Sequence, residues 1–268
     1  MSDSTEVGAA TADPRRDGRL FGPESVSWRV HADPLMGLAG LRAILLQVLH
    51  PVVMDAIDLH SDYQDDPWRR LHRLTEFVTL ATFGSAAESM LHGSRVRAVH
   101  ARIRGRTPDG VEYTADDPQL LAWVHCCQIA SFLEIVTRAG VRLTSTEQDA
   151  YVAEQVRSAM LVGLEPDEVP HDRAGLLDYF RVIRPLLVCS AGARRAAMVV
   201  VRAAADPQWR RDDSETRALP GWVPVAGLAF AALPPWARRL YALPDPPGAA
   251  GLSDAATTAA LRTLRASL

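Results

Sequence analysis

Across residues 35–57 apolar side chains recur at steps of three and four, at Leu38, Leu41, Ile44, Leu45, Val48, Leu49, Val52, Val53 and Ile57. That period belongs to an α-helix, and the stripe is so broad that other helices must cover it. Pro51 falls inside the stripe. Its ring removes one backbone donor and crowds the carbonyl four residues back, so a kink is expected, with His50 at the opened turn.

The same period continues downstream. One helix is predicted from Pro67, after Asp65 and Asp66, past Phe77, Leu80 and Phe83 to Gly84. A second, capped by Ser85, carries Met90, Val96, Val99, His100 and Ile103 to about Gly105. A third follows Asp116, Asp117 and Pro118 through Leu121, Trp123, Val124, Ile129, Phe132, Leu133 and Val136, and a fourth runs from residues 145–147 to about Leu161. Beyond Gly163 the prolines at 166, 170, 185 and 207 divide the chain into shorter helices, and an amphipathic helix follows Leu252. Thr107, Pro108, Asp109 and Gly110 are a turn signal, which with residues 111–114 predicts a short β-hairpin near residues 104–114. No repeat and no glycine-rich strand-to-helix turn accompanies this pattern, so the expected class is all-α, a multi-helix bundle with one hairpin.

At 268 residues and 48% hydrophobic content the chain can bury one large core. One domain over residues 21–268 is expected, preceded by a polar, small-residue tail over residues 1–20 that lacks an apolar signal segment. The net charge of −3 supplies no overall basic field to draw the chain onto nucleic acid or an anionic membrane. Lys and Asn are absent and all 29 basic side chains are Arg, which excludes a lysine Schiff base, a P-loop lysine and an N-glycosylation acceptor. The three cysteines, Cys126, Cys127 and Cys189, are odd in number and two are adjacent, unlike a disulfide framework, so a reducing cytoplasm is the expected location. Residues 223–233 form an apolar run between prolines that falls short of the ~20 residues needed to span a bilayer. A buried helix is expected there, with contact to a membrane surface as the alternative.

GxSxG, HExxH, GxGxxG and Walker A signatures are missing, and the Glu-x-x-His pair that a di-iron bundle needs on each of two helices is not present. Glu88 and His92, four apart, read as a solvated pair. What remains is histidine on apolar helix faces: His50 amid Leu46, Leu49 and Val53, His100 with Val96 and Ile103, and His125 with Leu121, Ile129 and Phe132. A buried imidazole must be hydrogen-bonded or metal-bound, because an unsatisfied polar ring costs about 1–3 kcal/mol. Taken singly, each histidine reads as a satisfied core residue.

An ordered set of short motifs goes further. It comprises Gly22-Pro23 with Ser25 and Trp28, Gln47 to Pro51, His60-Ser61, Asp66-Pro67, Arg70 to Arg73, Phe83-Gly84, His100 with Gly105, Tyr113 with Ala115, Asp117-Pro118, and Trp123-Val124-His125. In order and spacing the chain resembles the DUF2236 family over residues 21–170, a family that includes the catalytic domain of rubber oxygenase and the oxygenase of mycophenolic acid biosynthesis. The resemblance implies an oxidoreductase holding haem b (iron protoporphyrin IX) between its helices, with a histidine axial ligand on a core helix and an arginine-rich helix approaching the porphyrin. Carried over, the iron ligand is His100, with His125 as the runner-up. Arg70 and Arg73, three apart on one helix face, would bind the propionates, since guanidinium suits planar carboxylates. The alternative for these arginines is a solvated basic stripe with Arg69.

The sequence departs from the family where rubber oxygenase has an adjacent Lys-Thr pair: here Arg73-Leu74 stand there and Thr75 comes one position late. An arginine does not deprotonate in the working range, so Arg73 can orient a distal ligand but cannot act as a general base. Rubber cleavage is therefore not carried over. The expected activity is oxidation of a small or medium apolar metabolite by dioxygen or a peroxide. A non-catalytic haem- or apolar-ligand-binding protein is the second reading, and a haem-free bundle with structural histidines the third.

Overall fold

Among the residues described by the computed structural model, 18–205, 222–242 and 254–268, there are twelve α-helices and a single two-stranded antiparallel sheet. Residues 1–17 of the expected tail lie outside the described residues. The helices are α1 Val26–His31, α2 Met36–Gln47, α3 Pro51–His60, α4 Pro67–Phe83, α5 Ala86–His100, α6 Pro118–Arg138, α7 Ser145–Leu161, α8 Arg173–Ile183, α9 Ala191–Ala205, α10 Trp222–Ala231, α11 Pro235–Tyr241 and α12 Asp254–Ala266. The strands are β1 Arg104–Arg106 and β2 Glu112–Thr114.

The helix starts follow local chemistry. Asp66 accepts from the Arg69 amide at 3.0 Å ahead of Pro67, and Asp117 accepts from Gln119 at 2.8 Å ahead of Pro118. In both cases proline occupies a first-turn position whose N–H would have no partner within the helix. Ser85 and Glu88 form a reciprocal capping box at α5, and Thr144 and Glu147 form another at α7. Glu88 therefore caps its own helix and is not paired with His92 as expected from spacing.

Two expectations about helix ends are corrected. Pro51 breaks the helix outright: α2 and α3 are separate and meet at 108°, with His50 in extended conformation as the N-cap of α3. A kink would have preserved the axis. Here Pro51 takes the first position of a new helix, where its missing N–H costs nothing. The other correction is that α5 ends at His100, five residues before Gly105, which belongs to β1. The hairpin pairs Arg104 with Thr114, Gly105 with Tyr113 and Arg106 with Glu112, and Gly110 takes a φ of +91° in the turn, a backbone state that glycine adopts without strain.

α6 is the buried centre. It is long and apolar enough to cross a membrane, which the 223–233 run is too short to do, yet it lies enclosed among the other helices. α2 packs antiparallel along it: Trp123 Nε1 donates to the Gln47 carbonyl at 2.9 Å near one end, and Arg42 Nη1 donates to Ser131 Oγ at 2.8 Å further along. The proline-rich C-terminal third is part of this core. α10 is buried against α2 and α9 as a helix between prolines, Arg42 Nε reaches the Ala232 carbonyl at 2.9 Å, and Tyr241 Oη reaches the Leu45 carbonyl at 2.5 Å. α12 is tied back by Arg265 Nε on the buried Asp33 carboxylate at 2.6 Å.

α5 sits on the outside of this core and is buried only at Ser89 and Gly93. Gly93 lets α5 approach α7, because a Cβ there would stand 2.7 Å from the Leu161 carbonyl oxygen. Gly93→Ala should therefore push the two helices apart and lower stability by about 1–3 kcal/mol, read by denaturant unfolding. Equal stability of variant and parent would show that the contact yields without strain.

Candidate functional site

The connection at Gly84 and Ser85 turns the chain so that α4 and α5 pack side by side as an antiparallel pair, with the Phe77 and His92 rings 6.1 Å apart. Ser89 Oγ donates to the Leu80 carbonyl at 2.8 Å, so the contacts of the pair lie between the second half of α4 and the first half of α5. Arg70 and Arg73 stand in the first half of α4, and His100 closes α5. Arg73 is exposed, and of Arg70 only its place on the helix is described.

His100 is half-buried, with Nδ1 shielded from solvent. Its carbonyl accepts from Ile103 N at 3.0 Å, leading directly into β1. Asp116, just past β2, is held below the usual carboxylate range by a hydrogen bond from Thr114 and, more weakly, by the nearby Arg104 and His100. The imidazole at the end of α5 therefore has a carboxylate close by.

Around the hairpin lie further polar groups. Tyr113 packs over Gly105, where any side chain would collide with the ring, and its hydroxyl is buried with no hydrogen-bond partner among the described residues. Burial and the Asp55 carboxylate push that phenol above its ordinary pKa, so it stays neutral. The Asp117 amide donates to the Thr114 carbonyl at 3.2 Å, and the Asp117 carboxylate acts on His50 across the α2–α3 joint. His50 is buried with its ring 6.2 Å from Trp123, and Nδ1 has no partner. Burial lowers its pKa, partly offset by Asp117.

His125 lies in the middle of α6, two turns from Phe132 on the same helix face. It is buried, Nε2 has no hydrogen-bond partner, and burial brings its pKa down to about 4, so it is a neutral imidazole with an open lone pair or an unused donor. His31 shows the contrasting case: Nδ1 lies 2.6 Å from Thr82 Oγ1 and Nε2 lies 3.1 Å from Tyr151 Oη, which makes it a satisfied core residue with a pKa near 3. Cys126 and Cys127 are buried thiols whose pKa values are pushed up, so they are not nucleophiles at neutral pH.

Among the described residues no three His, Cys, Asp or Glu side chains gather into a metal-holding group. Single buried imidazoles suit a metal that brings its own equatorial ligands, as iron in a porphyrin does. The unpartnered Nε2 of His125 and Nδ1 of His50 are donors of the kind that such an iron would take. Two sites were not singled out from sequence: the unpartnered Tyr113 hydroxyl, whose one signal was Gly105 facing it across the hairpin, and the satisfied His31, for which no local signal exists.

A profile of the family described as ER-bound oxygenase mpaB/B′/rubber oxygenase, catalytic domain, matches residues 28–266. The match thus extends the resemblance from the N-terminal part through the proline-rich C-terminal third. No curated protein and no solved structure matches the chain.

Two of the three buried histidines, His125 and His31, set a pH dependence. Their folded pKa values, about 4 for His125 and about 3 for His31, lie below the unfolded value of 6.5. Above pH 6.5 both states are neutral and stability is full; below it the unfolded chain takes up protons that the folded chain refuses. Stability should fall from pH 6.5 toward about 4, at up to about 1.4 kcal/mol per pH unit for each histidine. Urea unfolding across this range checks it, with His125→Leu expected to flatten the slope by one proton's worth and an unchanged slope contradicting the assignment.

Proposed function

The chain belongs to the family of mpaB-type and rubber-oxygenase catalytic domains, and on that premise we propose that it is a haem b-dependent oxygenase of a small or medium apolar metabolite, with His100 as the axial ligand to iron. The observation that carries the reading is the family match over residues 28–266, joined to a half-buried His100 at the end of α5 with the Asp116 carboxylate near it.

Haem, when bound, supplies the activation of dioxygen or a peroxide. The chain's own residues hold and shape its surroundings. His100 offers a ring nitrogen from the rigid end of a helix, and a nearby carboxylate such as Asp116 strengthens imidazole as a donor and fixes its tautomer. Arg70 would hold a propionate by paired N–H donors. Arg73 keeps its charge throughout and orients an oxyanion or a polar substrate atom; it does not take up a proton. Tyr113 contributes a neutral hydroxyl on the same side of the fold as the hairpin. His125 is the runner-up ligand, supported by its open Nε2. A cytoplasmic location, with its thiols reduced, belongs to the same proposal.

Arg73-Leu74, in place of the Lys-Thr pair of rubber oxygenase, favours a second reading, a haem- or apolar-ligand-binding protein without turnover. Reduced, haem-loaded protein exposed to oxygen separates the two: a lasting oxygen complex that oxidises no apolar candidate supports binding alone. For the main reading, protein reconstituted with haem should show a Soret band that His100→Ala abolishes or shifts, while His125→Ala leaves axial coordination recognisable. The opposite pair of outcomes would exchange the two histidines, and no Soret band in the parent would overturn haem binding.

A further inference from the structure

The residues 223–233, the apolar run most open to membrane contact on sequence grounds, are enclosed in the bundle from Val225 through Leu233. Exposed apolar surface gathers elsewhere. Within residues 177–188, Leu177 is 60% exposed, Val182 63%, Leu186 61% and Val188 47%. Isolated exposed aliphatic residues are ordinary, but four in one short segment form a patch. The inward face of the same segment explains its position: Leu176, Phe180 and Leu187 are buried, Phe180 meets Trp123 and Trp236, and the Val188 amide donates to the Leu49 carbonyl at 2.9 Å. The segment is therefore firmly seated, and its apolar side chains stand outward because the inner face is already filled.

Charge decides what that outward face fits. Residues 179–195 contain Arg181, Arg184, Arg194 and Arg195 and no carboxylate. Two carboxylates reach them: Asp178 pairs with Arg181 at 2.7 Å and Asp58 with Arg195 at 2.9 Å. Arg184 lies over the Trp236 ring at 5.0 Å. Four guanidinium groups against two carboxylates leave this face cationic, on a chain whose net charge is −3. A second copy docking by two-fold symmetry would bring the same cationic patch against itself. Nucleic acid would leave the aliphatic side chains without a partner. Aliphatic side chains among arginines on a short amphipathic element match the boundary of an anionic bilayer, where the former enter the acyl region and the latter meet headgroup charge.

We propose that the outward face of α8 and the turn that follows it, centred on Val182, Leu186 and Val188 with Arg181 and Arg184, docks on an anionic lipid surface. This inference is independent of the cofactor. It concerns a reversible surface contact, since the segment is too short to span a bilayer.

The test is co-sedimentation of the full chain with phosphatidylcholine vesicles made with and without phosphatidylglycerol. Binding is expected only with the anionic lipid, and raised salt should release the protein. Val182→Ser with Leu186→Ser should weaken binding about tenfold or more, and Arg181→Gln with Arg184→Gln should weaken it less and reduce its salt sensitivity. All four residues are exposed, so helical circular dichroism should be unchanged in the variants and loss of binding is not loss of fold. Absence of binding to anionic vesicles overturns the proposal, as does binding that the serine variant leaves intact. Self-association in sedimentation equilibrium that the serine variant abolishes would assign the patch to a second copy instead.

Discussion

The rest of the structure depends on the burial of α6, a helix of 21 residues with apolar side chains around most of its circumference. Such a helix has no face that tolerates water, so its neighbours must close around it. α2 lies antiparallel along it, α7 returns beside it, and α1 and α12 complete the enclosure. Hydrophobic contact alone would allow these helices to slide. The Trp123 bond to Gln47 and the Arg42 bond to Ser131 do not, because each buried polar group would lose its partner if the register shifted. Arg42, its pKa brought down to about 10 by burial yet still charged at neutral pH, also takes the Ala232 carbonyl and so binds the C-terminal third to the same frame.

The candidate site inherits its geometry from this frame. α6 begins at Asp117, beside the hairpin, and carries Trp123 and His125 inward. The break at Pro51 delivers His50 to the same neighbourhood, and the end of α5 brings His100 to Asp116 beside the hairpin. Where the fold needed only packing, polar groups are satisfied, as at His31. The Nδ1 of His50, the Tyr113 hydroxyl and the Nε2 of His125 are not, and leaving three such groups buried is a cost that packing does not repay. These groups lie on the elements around the hairpin and α6, the region to which the proposed function assigns a ligand.

Much of the fold was legible before any coordinates. The capping boxes, the prolines at helix starts, the turn before the hairpin and the three-to-four period all act within a few residues of chain, so the local sequence determines them. The misreadings also have local causes. Whether Pro51 kinks a helix or starts another depends on whether the backbone before it can turn, which periodicity does not encode, and the end of α5 at His100 depends on where β1 finds a partner in β2.

What the sequence by itself determined is the helical class, the starts of α4, α5, α6 and α7, and the motif order that marks the family. What only the tertiary structure decided is which histidines are satisfied, that the proline-rich third is core, and that α8 and the turn after it leave aliphatic and arginine side chains exposed. The reason is distance along the chain. Thr82 lies 51 residues from the His31 it satisfies, and Ala232 lies 190 residues from Arg42, so no local period or spacing carries those partnerships, and only the enclosure of α6 creates them.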